Sequence, residues 1–176
     1  SSKICRCFDC RQVLYEESMF DGQKVSKSRI ITSVDYSMVS MEAFEIYATN
    51  HDIHVMDFVL KLDAYSYYMM NLLDYLIGNT DRHWGNWGFL VDNRTNQPVR
   101  LFDLMDLNQT FLAYDTPDGA NCMTTGNRKM SQREAAVEAV KNIGLNQKDE
   151  IKDEWFKGRE KEREMFWCRF GILKEQ

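Results

Sequence analysis

Gly78-Asn79-Thr80-Asp81-Arg82-His83-Trp84-Gly85-Asn86-Trp87-Gly88 is the stretch on which the fold turns. Three glycines and a run of polar side chains sit there between a hydrophobic helix pattern and a strand pattern. Glycine lets a backbone turn tightly or approach a ligand closely, and loops mounted on rigid elements are where binding and catalytic groups concentrate. The bland account of the same residues is an Asn/Gly/Asp turn with His83 buried and satisfied. Upstream, Tyr65, Tyr68, Met69, Leu72, Leu73, Leu76 and Ile77 recur at steps of three and four, which predicts a core helix over 63–77 that Gly78 stops. Downstream, residues 87–91 read as a strand, 92–98 as a polar loop and 99–104 as a returning strand, so a β-hairpin follows the loop.

Farther out, Met41, Phe44, Tyr47 and Ala48 keep helical spacing behind Ser40, a good cap. Ser131 and Glu134 have capping-box spacing before Ala135, Val137, Ala139 and Val140, with Gly144 closing the segment. Asn146 is expected to cap a third helix in which Ile151, Trp155 and Phe156 form the apolar face, while the alternating charges of 157–164 form a solvated one. Near the N-terminus, residues 10–15 and 24–32 contain β-prone runs, with a turn signal at Asp21-Gly22. The chain of 176 residues is 44% hydrophobic with only two prolines, which argues for one folded domain and against disorder. A net charge of -5 provides no positive field for a nucleic-acid backbone, so direct nucleic-acid binding is not expected. No run of apolar residues is long enough to cross a bilayer and no secretion signal opens the chain, so no membrane role and a cytoplasmic location are expected. Five cysteines, three of them at Cys5, Cys7 and Cys10, form an odd set that suits reduced thiols better than disulfides. Without a second Cys/His pair at finger-like spacing, they fall short of the four ligands of structural zinc.

The spacing inside the central loop gives the chemistry. Asp81 and Asn86 stand five apart, as do the catalytic Asp and the metal-binding Asn of the kinase loop H-R-D-x-x-x-x-N. In such a loop the Asp orients the attacking hydroxyl and accepts its proton, while the Asn carbonyl reaches a magnesium ion that bridges the phosphates. A second hard oxygen ligand is then required on the following strand. Asp106 fits at the strand's end, with Asp103 as the alternative. Strand alternation would turn the two to opposite sides, and polar Asn108 and Gln109 after Asp106 favour it.

The run 76–88 resembles the catalytic loop of HipA-like serine/threonine kinases, I-G-N-x-D-x-H-x-x-N, whose D-R-H-x-x-N core is shared with phosphatidylinositol 3- and 4-kinases. Leu104-Met105-Asp106-Leu107-Asn108 resembles that family's second metal motif. The resemblance implies Asp81 as catalytic base and His83 as a loop organiser or phosphate contact. It implies Asn86 and Asp106 as magnesium ligands, and Asn79, Arg82, Asn86 and Asp106 as the set around ATP and Mg²⁺, with Gly78 in support. The implied fold is α+β, a mostly helical protein-kinase-like C-lobe over 63–176 with a small β-hairpin carrying the metal site, preceded by an N-terminal segment, 1–62, of undefined structure. No Gly-rich loop is legible before residue 78, and Lys3, Lys24, Lys27 and Lys61 are the only lysines available to face phosphates, so the catalytic lobe alone is expected. The implied activity is ATP- and Mg²⁺-dependent phosphotransfer to a protein Ser or Thr. The implied partners are a protein substrate and, as is common in that family, a small DNA-binding antitoxin-like protein. Two other readings stay open: a non-catalytic protein-binding module built on the same lobe, and a metal-dependent hydrolase using Asp81, His83, Asp103 and Asp106.

Overall fold

The computed structural model describes residues 1–176. In chain order it contains α1 (Ser2–Cys5), β1 (Tyr15–Phe20), β2 (Gln23–Ser28), β3 (Tyr36–Ser40), α2 (Met41–Asn50), α3 (Val55–Ile77), β4 (Gly88–Asp92), β5 (Gln97–Leu101), α4 (Gln132–Ile143), a single 3₁₀ turn (Asp153–Phe156) and α5 (Glu160–Lys174). Two antiparallel sheets result, the hairpin β1-β2 and the three-stranded β3-β4-β5.

The second half of α3 is the axis of the molecule, with every residue from Met69 to Ile77 buried. Asp63 breaks the helix at φ -155°, ψ 63°. Its Oδ1 accepts from Ser66 N–H at 3.2 Å, as a helix cap does, while Oδ2 takes the Leu101 N–H at 3.1 Å and Arg11 Nη2 at 2.6 Å. One carboxylate therefore restarts the helix predicted from residue 63 and pins both the end of β5 and the N-terminal segment to it. At the other end Gly78 adopts φ +59°, and a Cβ there would lie 2.2 Å from the Tyr114 ring, so this stop requires glycine twice over. Ser40 and Ser131 cap α2 and α4 as expected, the second with the full reciprocal capping box. Asp21 and Gly22 both take positive φ, 50° and 75°, the two-residue turn that matches the twist of a hairpin.

Residues before 63 share the core of those after it. β3 pairs with β4 over Tyr36↔Asp92 to Ser40↔Gly88, and Met41, Phe44 and Ala48 of α2 are buried. The 62/63 line thus falls inside α3.

Three expectations need correction. The returning strand ends at Leu101, not Leu104, so alternation does not decide where Asp103 and Asp106 point. No helix opens at Asn146: at φ 51° its Nδ2 donates to the Ile143 and Gly144 carbonyls at 2.7 and 3.1 Å and closes α4 instead. Ile151 and Phe156 are buried, but around a single 3₁₀ turn, and the alternating charges belong to the start of α5. All five cysteines are free, and Cys5, Cys7 and Cys10 form no metal-holding cluster.

Candidate active site

One buried charge pair organises the central loop. Asp74 sits on the apolar face of α3 at 4% exposure, where an unpaired carboxylate would be strongly disfavoured. Arg82 answers it in a two-pronged contact, Nε to Oδ2 at 2.8 Å and Nη2 to Oδ1 at 3.0 Å. Its Nη1 donates to the carbonyls of Asn86 at 3.0 Å and Met105 at 2.7 Å. A single guanidinium thereby ties the core helix, the far end of the loop and the segment after β5 together. Burial works against the charge on Arg82, but the neighbouring Asp74 carboxylate outweighs it, so the guanidinium is held above its ordinary value.

Asn79, fully buried, continues the scaffold. Its Nδ2 donates to Asp74 Oδ1 at 2.9 Å and lies 3.4 Å from the Asp106 carbonyl, and its Oδ1 accepts the Asp81 N–H at 3.3 Å. The Asn79 carbonyl accepts from Gln132 Nε2 at 2.6 Å, which docks the start of α4 beneath the loop. Asn79 and Arg82, expected around the cofactor, direct these hydrogen bonds at protein groups. Asp74 and Gln132 were not singled out by the sequence reading. The available signal was Asp74 itself, a carboxylate inside an apolar helical stripe, which requires a buried partner.

Asp81 is half-buried, and its carboxylate takes part in no ion pair or hydrogen bond within the protein. Asn86 is 4% exposed; its Nδ2 donates to the Asp81 carbonyl, and its Oδ1 is buried with no partner at all. His83 is exposed, contrary to a buried turn residue, and its Nδ1 accepts the Gly85 N–H at 3.0 Å, organising the turn. A Cβ at Gly85 would stand 2.9 Å from that imidazole, so a larger residue there would displace the ring. Trp84 is fixed by its indole N–H, which donates to the Met123 carbonyl at 3.0 Å.

The two candidate metal carboxylates separate. Asp103 lines a cavity of about 20 Å³ with Asn86 and Arg82, but is held by Arg100 at 2.6 Å. Asp106 has no such partner. Its φ of 56° is left-handed, a conformation that Asp and Asn adopt more readily than other non-glycine residues and that Asp21, Asp52, Asn96 and Asn146 share. The Asp106 N–H donates to Tyr15 Oη at 3.4 Å, and Asp106 lines a neighbouring cleft of about 380 Å³ with Tyr15, Ser26 and Asn108. The β1-β2 hairpin therefore overhangs this aspartate.

It is the donor types that suit a magnesium ion, since Asn86 lines the small cavity and Asp106 the hairpin cleft. A buried amide oxygen without a donor is a hard, neutral oxygen ligand in waiting, and Asp106 provides the charged one. No three His, Cys, Asp or Glu side chains converge. Mg²⁺ does not require that, since it keeps several waters and commonly takes one or two carboxylates together with substrate phosphates.

No family model and no curated protein sequence matches the chain. Among solved structures, the crystal structure of a Helicobacter pylori proinflammatory kinase, CtkA, is similar with a TM-score of 0.63 at 13% identity, over 98% of this chain and 81% of that one. At that identity the likeness is one of fold: a kinase-like arrangement of mixed helix and sheet.

Proposed function

We propose that the chain is a HipA-like kinase that transfers the γ-phosphoryl group of ATP, with Mg²⁺, to a serine or threonine hydroxyl of a protein. The observation that carries this reading is the Asn86 side chain. Its amide nitrogen is committed to the Asp81 carbonyl, which fixes the opposite end, and the oxygen is left buried without a donor. A buried acceptor with nothing to accept is disfavoured unless a ligand completes it.

In this reading Asn86 and Asp106 hold the ion, which when bound offsets charge on the phosphates. Asp81, whose carboxylate is free of protein partners, receives the proton of the acceptor hydroxyl. His83 keeps the turn between them in shape. Strand register puts Lys24 on the face of the hairpin that carries Tyr15 and Ser26: Tyr15↔Ser28, Glu17↔Ser26 and Met19↔Lys24 share that face, and Tyr15 and Ser26 line the cleft with Asp106. Lys24 is therefore the lysine we assign to the phosphates, ahead of Lys3, Lys27 and Lys61. Such an arrangement acts by positioning and charge stabilisation rather than by covalent chemistry.

The test is calorimetry of ADP with and without Mg²⁺, followed by phosphotransfer assays. Asn86→Ala is expected to abolish the magnesium-dependent part of nucleotide binding, and Asp81→Asn to leave binding intact while removing phosphotransfer. An Asp81→Asn chain with full activity would overturn the assignment of the base.

A further inference from the structure

Beside the central loop lies a surface depression of about 700 Å³, bounded by α2, the first turns of α3, Trp84 and the 125–128 loop. Trp84 is two residues from Asn86 and three from Asp81, so the groove borders the same loop as the candidate site while sharing no residue with the small cavity at Asn86 or the hairpin cleft. We propose that this groove seats an extended, basic segment of the acceptor protein. This deepens the phosphotransfer reading and rests on it for the nature of the acceptor hydroxyl.

Charge is the first argument. Glu45, Asp57 and Glu138 line the groove, and Arg128 and His54 are its only basic residues. Arg128 is already spent in a two-bond contact with Glu138 at 2.9 and 3.2 Å, and His54 adds charge only when protonated, against Asp57 at 3.0 Å. Glu45 is left without any partner, and Asp57 has none but that histidine, at an edge of a chain whose net charge is -5. Such a wall attracts cations and rejects acidic segments.

Shape and surface are the second. Ile53, Met56, Leu60 and Trp84 give the groove an apolar side on which lysine and arginine stems can lie while their charges reach the carboxylates. Trp84 is held in place by its bond to the Met123 carbonyl, so its ring is a fixed platform, and an indole face is the best aromatic partner for a guanidinium. The volume falls within the roughly 300–1,000 Å³ range of ligand clefts and suits a few residues of extended chain.

The experiment measures fluorescence anisotropy of a labelled serine peptide carrying arginines beside the hydroxyl, against matched peptides with alanine or glutamate in their place. The full chain is used without nucleotide, at low and high salt. The arginine peptide is expected to bind and the glutamate peptide not to bind. The double variant Glu45→Gln/Asp57→Asn is expected to weaken binding about fivefold, the size expected for two exposed charge contacts, with the difference shrinking at high salt. Both side chains are on the surface, and a Glu160→Gln variant on α5 serves as the control, with unchanged affinity. Equal binding of the three peptides, no effect of the double variant, or a groove closed by self-association of the chain would overturn the proposal. Because binding is read without catalysis, the two readings fail separately. Tight arginine-peptide binding with no phosphotransfer supports the groove and removes the kinase. Phosphotransfer with the same KM for all three peptides does the reverse.

Discussion

Replacing Asp74 by alanine tests whether the central loop is held by a buried ion pair. The carboxylate accepts three hydrogen bonds, two from Arg82 at 2.8 and 3.0 Å and one from Asn79 at 2.9 Å. Arg82 is only 3% exposed, so without Asp74 the guanidinium is stranded away from water. Removing one partner of a buried pair costs about 3–5 kcal/mol, a large part of the roughly 5–15 kcal/mol that keeps a domain folded. For a chain of this size, that corresponds to a fall in melting temperature of about 10 °C. Urea unfolding followed by tryptophan fluorescence gives the number directly. The double variant Asp74→Leu/Arg82→Met removes both charges and should be more stable than Asp74→Ala. It should still fail to bind Mg·ADP, because the carbonyls of Asn86 and Met105 have lost the donor that orients the loop. A loss below about 1 kcal/mol for Asp74→Ala, or a double variant no more stable than the single, would refute the reasoning.

Other perturbations probe separate parts. Gly88→Ala should destabilise by about 3 kcal/mol or more by denaturant titration, since the new Cβ would meet the Val39 carbonyl oxygen at 2.1 Å and Ser40 Cα at 2.8 Å and force β3 from β4. Burial pushes the Cys5 thiol from its ordinary value of 9.0 up to about 12. The folded state therefore keeps a proton that the unfolded state loses. Stability is undiminished below about pH 9 and should fall by about 1.4 kcal/mol per pH unit above it, a slope that Cys5→Ala reduces in alkaline unfolding curves. Glu134 is lowered because the Ser131 N–H and hydroxyl hydrogen-bond to its carboxylate. Its contribution is present above the unfolded carboxylate value and lost as pH falls through the folded one. Glu134→Gln should thus flatten the acid limb of the stability profile, measured by circular dichroism of α4 and its neighbours.

What could be read in advance and what could not divides by range of interaction. The stop at Gly78, the capping box at Ser131, the Asp21-Gly22 turn and the restart of α3 at residue 63 are each decided within a few residues, by φ preference and by side chains bonding to nearby backbone. Asp81, His83 and Asn86 drew attention by their types and spacing alone, and the chemistry we propose for them rests on that spacing. Asn146 misled because the same side chain that caps a helix start can close a helix end, and only the neighbouring carbonyls decide which. The hydrogen bond of Tyr15 to the Asp106 N–H, across ninety-one positions of chain, had no local signal.

Arg169 shows the limit. It lies in the charge-rich last helix, yet it is fully buried, donating to the Tyr75 and Thr116 carbonyls with its guanidinium 4.3 Å from the Tyr114 ring centroid. The sequence by itself determined the core helix, the glycine-bounded loop and the order of its polar groups, since these follow from periodicity and backbone conformation over short distances. Only the tertiary structure decided that Arg82 would bind Asp74 and that a hairpin would hang over Asp106. Those outcomes depend on which distant groups packing brings within about 3 Å, the range over which hydrogen bonds form and buried charges find partners.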